Sequence, residues 1–278
     1  MAKPTIANVA ELAGVSQATV SRALRGATNV TEETRIKVQR AADQLNFTLS
    51  KSASALASGK TMRVILLVSG KLNEWFNSGV LQGVYEELAP VGYDVTPAFI
   101  TDRSELDRFF SQLPKSRNAD AIIISSFQLM PAMRDQLQAI DLPTVGVNVP
   151  AESGYFDASI SIDNSSAMTM AVRLLRSLGH TNIAFCSDYI PADMVYNTSQ
   201  RTQAFADAAQ ANATDGITFS LLTADAHDAP LSKSDLASQL TAKLLSLPER
   251  PTAVCVETDQ VAIALVKELR KQQLNVPG

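Results

Sequence analysis

Several kinds of chemistry are closed off by what this chain lacks. Its 278 residues hold two cysteines and two histidines. Cys186 and Cys255 each sit in an apolar run, I-A-F-C-S and T-A-V-C-V-E, that reads as a buried strand. Neither has a second Cys or His at ligand spacing, so both are expected as free thiols, not a disulfide or a metal site. His180 and His227 stand outside any triad or metal constellation; His180, after Leu178-Gly179, reads as closing a helix C-terminus. No H-E-x-x-H, G-x-S-x-G or G-x-G-x-x-G occurs, so catalysis has no visible residues to carry it, and no cofactor or metal is expected. Gly59-Lys60-Thr61 imitates the end of a P-loop, but its first glycine would fall at Ser54, and a strand follows where a helix is needed. No apolar run approaches the ~18 residues of a membrane span, and the N-terminus lacks an apolar signal core. A cytoplasmic protein is expected.

What is present is a globular composition, 46% hydrophobic and 19% charged, with a length that suggests two domains. The net charge of −4 divides unevenly. Residues 1–60 carry eight Lys/Arg against four Asp/Glu, a balance of +4 that leaves −8 for the rest. A basic head on an acidic body is the asymmetry expected when only the head meets phosphates.

The head is organised around Thr5 to Arg25, T-I-A-N-V-A-E-L-A-G-V-S-Q-A-T-V-S-R-A-L-R. Ile6, Val9, Ala10 and Ala13 fall at helical spacing, as do Val20 and Leu24. Thr5 and Ser16 stand where N-caps belong, and Gly14 stands where a turn needs a left-handed backbone. Two helices joined by a tight Gly-containing turn make a helix-turn-helix. The second presents Gln17, Ala18, Ser21 and Arg22 outward, a set suited to base edges in a DNA major groove. Thr31, followed by Glu32 and Glu33, caps a third helix with apolar positions at Ile36, Val38, Ala41, Ala42 and Leu45. The helical head spans residues 1–46 and its core is small.

The run A-x-x-A-G-V-S-x-x-T-V-S-R, Ala10 to Arg22, resembles the lactose/galactose repressor (LacI-type) family of bacterial transcription regulators. The resemblance implies a homodimer on a pseudo-palindromic operator. Gln17, Ala18 and Arg22 would read bases, and Thr5, Ser16, Thr19 and Ser21 would hold phosphates. Residues 47–60, F-T-L-S-K-S-A-S-A-L-A-S-G-K, read either as a flexible tether or as a short helix. In the resembled family this segment is a hinge helix whose Leu wedges into the minor groove, which gives that role to Leu56. The family's usual Tyr-x-Pro-Asn and pre-wedge Arg are replaced by Phe47-Thr48-Leu49-Ser50 and Ser54, which implies a looser hinge.

From Arg63 the texture changes to strand, helix, strand in alternation, which means parallel sheets with helices on both faces. Strands are expected at 63–69, 93–100, 119–125 and 143–149. The rhythm then restarts with a crossing strand at 159–162 and further strands at 182–186, 217–222 and 252–256. Two such units make two α/β subdomains with a cleft beyond the strand ends. The fold expected is therefore a small all-α head on an α/β body. In the resembled family that body, here residues 61–278, is periplasmic-binding-protein-like and closes on an effector. Family members run on past Gly278, so the second subdomain is expected to be incomplete and the body C-terminally shortened, either as a fragment or as a naturally short regulator.

Sugars are read by planar amides, carboxylates, Arg and an aromatic face. Trp75 and Phe76 follow the first strand, Asn148 ends the fourth, Arg201 opens R-T-Q-A-F, and Thr258-Asp259 follow the late strand. All six match effector-contacting positions of the resembled family. Simpler readings stay open beside these: core or dimer surface for Trp75 and Phe76, a surface helix start for Arg201, and helix caps for Asp259 and Asp163. The function expected is a repressor controlled by a small carbohydrate. The alternative is a sugar-binding sensor that does not regulate DNA, and salt-dependent binding to a promoter fragment separates the two.

Overall fold

The computed structural model describes residues 4–47, 60–116, 118–149, 156–189, 194–225 and 232–277. The chain divides into two compact units, Met1–Met62 and Arg63–Gly278.

The first unit is three helices, α1 (Ile6–Ala13), α2 (Gln17–Leu24) and α3 (Glu32–Gln44). Each begins on a hydroxyl cap. Thr5 accepts from the Asn8 backbone while the Asn8 side chain returns the bond; Ser16 accepts from Thr19 and Thr31 from Thr34. Gly14 ends α1 at φ 64°, so the chain turns sharply into α2. Val9, Val20 and Val38, one from each helix, are fully buried and meet over Ala10, Ala23, Ala41 and Ala42. Small residues allow three short helices to approach closely around so small a core. Apart from Phe47 and Lys60, the segment 47–60 lies outside the described residues, and Leu56 with it.

The second unit holds two parallel sheets. The first has the order β2-β1-β3-β4-β5, from β1 (Arg63–Ser69), β2 (Asp94–Ile100), β3 (Ala121–Ser125), β4 (Thr144–Val147) and β5 (Ala158–Ile160). Its helices are α4 (Trp75–Leu88), α5 (Arg103–Ser116) and α6 (Pro131–Ala139). Ile65 and Leu67 of β1 and Ile122 and Ile124 of β3 pack against Leu106, Phe110, Met133 and Leu137 of α5 and α6. The second sheet has the order β7-β6-β8, from β6 (Asn182–Ser187), β7 (Thr218–Thr223) and β8 (Ala253–Val256). Strand β6 alternates between two cores. Ile183 and Phe185 face α7 (Asn164–Ser177) and α8 (Ser199–Ala211), while Ala184 and Cys186 face α9 (Lys233–Leu245) and α10 (Asp259–Lys271). Among the described residues, no helix is long and apolar enough to cross a membrane.

Two local expectations are corrected. The crossing strand does not open the second sheet: Ala158–Ile160 pairs in parallel with β4 as the outer strand of the first. Its short, exposed sequence carries no periodicity that tells which sheet it joins. Trp75 and Phe76, which follow β1, form the first turn of α4. Asp259 is not the cap of α10; Thr258 is, accepting from the Val261 backbone. Asp163 does cap α7, through the Ser166 N–H at 2.9 Å. Cys186 and Cys255 are both free, and burial pushes the Cys186 thiol up to about 12, leaving it protonated and unreactive at neutral pH.

Candidate functional site

Helix α2 has two faces because its apolar residues recur at helical spacing. Val20 and Ala23 are buried, while Gln17, Ala18 and Arg22 are exposed on the other side. Arg22 folds back so that its Nε donates to the Ala18 carbonyl at 3.3 Å, which leaves the guanidinium at the helix surface. Thr5 and Ser16 are exposed at their helix starts; Thr19 and Ser21 are half-buried. Ser16 Oγ and Thr19 Oγ1 lie 2.9 Å apart, so the caps at the start of α2 place two hydroxyls together beside its free backbone N–H groups.

In the second unit the carboxyl ends of both sheets border a cleft of about 720 Å³. The order of the strands places it there: Ser69 ends β1, Ser126 and Asn148 follow β3 and β4, and Asp188 and Glu257 follow β6 and β8. Trp75, Phe76, Asn148, Arg201, Thr258 and Asp259, spread over 185 positions of sequence, all line this one cleft. Trp75 is exposed, its ring set edge-to-face on Phe76 with centroids 5.8 Å apart. Its Nε1–H donates to Asp259 Oδ1 at 3.2 Å, joining the start of α4 to the start of α10. Asn148 is buried at φ 53°, a conformation Asn tolerates better than most residues. Arg201 donates from Nη1 to the Glu257 carbonyl at 2.6 Å and from Nε to Asn164 Oδ1 at 3.1 Å.

Spacing in the sequence gave no sign of several other residues of the cleft. Glu257 is one: its Oε2 accepts the Asp188 backbone N–H at 2.8 Å. Burial pushes its carboxyl above the ordinary carboxylate range, against the pull of that N–H and of Lys233 and Arg201. Tyr189, Tyr196 and Lys233 also line the walls. Their signal was position after a strand or before a helix, which marks many residues that line nothing. Together the cleft offers amides, carboxylates, one Arg and aromatic faces, a set that pairs with hydroxyls and stacks on rings. Among the described residues, no group of three or more His, Cys, Asp or Glu is placed to hold a metal ion.

Comparison with known proteins adds three findings. Residues 5–50 match the model of bacterial regulatory proteins, lacI family, and residues 172–278 match that of a periplasmic binding protein-like domain. Among curated proteins, the transcriptional repressor PurR of Vibrio campbellii is 30% identical over 98% of this chain and 79% of its own length. Catabolite control protein A of Priestia megaterium is 26% identical over 99% and 80%. Among solved structures, the lac repressor dimer bound to operator and the anti-inducer ONPF superposes with a TM-score of 0.80 at 22% identity, covering 99% of this chain and 80% of that one. A complex of the transcriptional regulator CelR with cellobiose does so with a TM-score of 0.59 at 25% identity, over the same shares.

Proposed function

The chain belongs to the lacI family of bacterial regulatory proteins, and from that premise we infer that it is a transcription regulator rather than an enzyme, a repressor that binds operator DNA in the cytoplasm as a homodimer. One observation carries the DNA reading: α2 buries Val20 and Ala23 and turns Gln17, Ala18 and Arg22 to solvent as a single face. Gln17 and Arg22 are the base readers, since Arg pairs bidentately with guanine and Gln with adenine, and Ala18 packs on a thymine methyl. Thr5, Ser16, Thr19 and Ser21 hold phosphates, and Leu56 is the minor-groove wedge.

The effector is a small carbohydrate held in the cleft, stacked on Trp75 and Phe76 and hydrogen-bonded by Asn148, Arg201, Thr258 and Asp259. The convergence of these six on one cleft supports that reading, and cellobiose in the CelR complex is a ligand of the same chemistry. Closure of the cleft on the sugar shifts the head's affinity for operator only insofar as sugar binds the two states unequally.

Two measurements test this. Footprinting across the host genome should reveal a protected, pseudo-symmetric element whose occupancy falls steeply with salt; folded dimer that protects no such element overturns the DNA reading. A thermal-shift screen against a sugar panel should raise the melting temperature of the body; a panel without effect overturns the carbohydrate reading and leaves the DNA reading standing.

A further inference from the structure

Two buried asparagines, Asn164 and Asn197, stand behind the cleft and connect its walls. Asn164 is 4% exposed at the start of α7, and Asn197 is fully buried just before α8. Arginine can only donate hydrogen bonds. Since Arg201 Nε donates to Asn164 at 3.1 Å, the Asn164 atom it meets must be the carbonyl oxygen. Asn164 must then turn its NH2 the other way, and it donates to Asn197 Oδ1 at 2.8 Å and to the Asn197 backbone carbonyl at 3.2 Å. Asn197 has spent its oxygen and donates its NH2 to Asn148 Oδ1. Asn148 in turn donates to Ser126 Oγ at 3.3 Å. Each amide in the series is oriented by the one before it, and Asn164 at its head is set from two sides, by the Arg201 guanidinium and by the Asn197 backbone carbonyl.

The backbone holds the midpoint of this series in place. The Asn197 N–H donates to the Ser126 carbonyl at 3.0 Å and the Gln128 N–H to the Val195 carbonyl at 2.8 Å, around an antiparallel bridge from Phe127 to Tyr196. Buried, fully paired polar groups of this kind polarise one another and are costly to break singly.

We propose that Asn164 and Asn197 are positioning residues: Asn164 holds Arg201, and through Asn197 its amide sets the hydrogen-bond polarity of the Asn148–Ser126 wall. Ser126 accepts from Asn148 and shares a hydrogen bond with Ser125 Oγ at 3.4 Å in which either hydroxyl can donate; when Ser125 donates, the Ser126 proton is available to an acceptor oxygen of the effector. The effector side of this claim rests on the carbohydrate reading, whereas the relay itself does not.

The test uses the full chain and two variants. Asn164→Asp keeps an acceptor for Arg201 but offers no NH2, so Asn197 and Asn148 must both turn over. Asn164→Ala removes the acceptor. In nitrogen–proton spectra without ligand, Asn164→Asp should shift the side-chain NH2 signals of both Asn197 and the more distant Asn148. Asn164→Ala should abolish the exchange protection of the Arg201 Nε–H, and Asn164→Asp should preserve it. An unmoved Asn148 signal, or a protected Arg201 Nε–H in Asn164→Ala, overturns the proposal. If Asn164→Asp does not fold, Asn197→Asp serves, with the reversed Asn148 signal as the same readout.

A ligand arm uses cellobiose, glucose, galactose and ribose. The sugar that binds the wild type should bind Asn164→Ala at least tenfold more weakly and recover part of that loss in Asn164→Asp, through the restored hold on Arg201. Equal affinity in all three overturns the effector part. Silence of every sugar toward the wild type counts against the carbohydrate reading, while the spectra still decide the relay.

Discussion

Gly146→Ala puts the packing around the cleft to a test in which two physical effects have opposite signs. Gly146 lies in β4, paired with Ile124 and Ser159, two residues before Asn148. Glycine inside a strand costs conformational entropy, so a change to alanine should stabilise by about 0.4–1 kcal/mol if the backbone can accept it. Here it cannot do so without movement. A Cβ at this position would lie 2.6 Å from Val149 Cγ2 and 2.9 Å from Phe156 Cδ2. Val149 is fully buried, so it has little room to yield. Overpacking of this kind costs about 1–3 kcal/mol, and the net expectation is a loss of about 1–2 kcal/mol. Gly83→Ala is the matched control, an exposed helical glycine with nothing within 4 Å of the added carbon. It should stabilise by about 0.8–1 kcal/mol. Urea unfolding of the full chain, followed by circular dichroism, reads both as displacements of the midpoint at constant slope. A Gly146→Ala midpoint at or above wild type would show that β4 and Phe156 relax freely and would sink the argument.

Three further outcomes are expected. Arg22→Ala should weaken operator binding by about 1–3 kcal/mol and relax preference at one base pair, and an unchanged preference in a binding selection refutes its role. Gly14→Ala places a side chain at φ 64° with open space around it, so its cost is backbone strain alone, about 1 kcal/mol; thermal melting of the head within the full chain should register this, and no loss would mean the turn relaxes. Glu257 has a folded-state pKa raised chiefly by burial, so its contribution to stability is lost as pH rises from the ordinary glutamate range through the raised folded value. Glu257→Gln keeps an acceptor for the Asp188 N–H and should remove that loss; a pH–stability curve identical to wild type refutes it.

The sequence by itself determined the head and the rhythm of the body. Thr5, Ser16 and Thr31 announce three helix starts, and Gly14 announces the turn, because caps and left-handed turns depend on residues only a few positions apart. The apolar runs at β1, β3 and β6 likewise declare themselves, since strands buried on both faces need continuous apolar residues. Arg201 and Thr258-Asp259 stood out through phrases of sequence. Tertiary structure alone decided which sheet receives Ala158–Ile160, that Trp75 meets Asp259 from 184 positions away, and that Asn164, Asn197 and Asn148 form one oriented series. These depend on which strand ends come together. A hydrogen bond between residues 33 or 49 positions apart leaves no period in the chain, because its geometry is set by the packing of whole sheets and helices rather than by any neighbour in sequence.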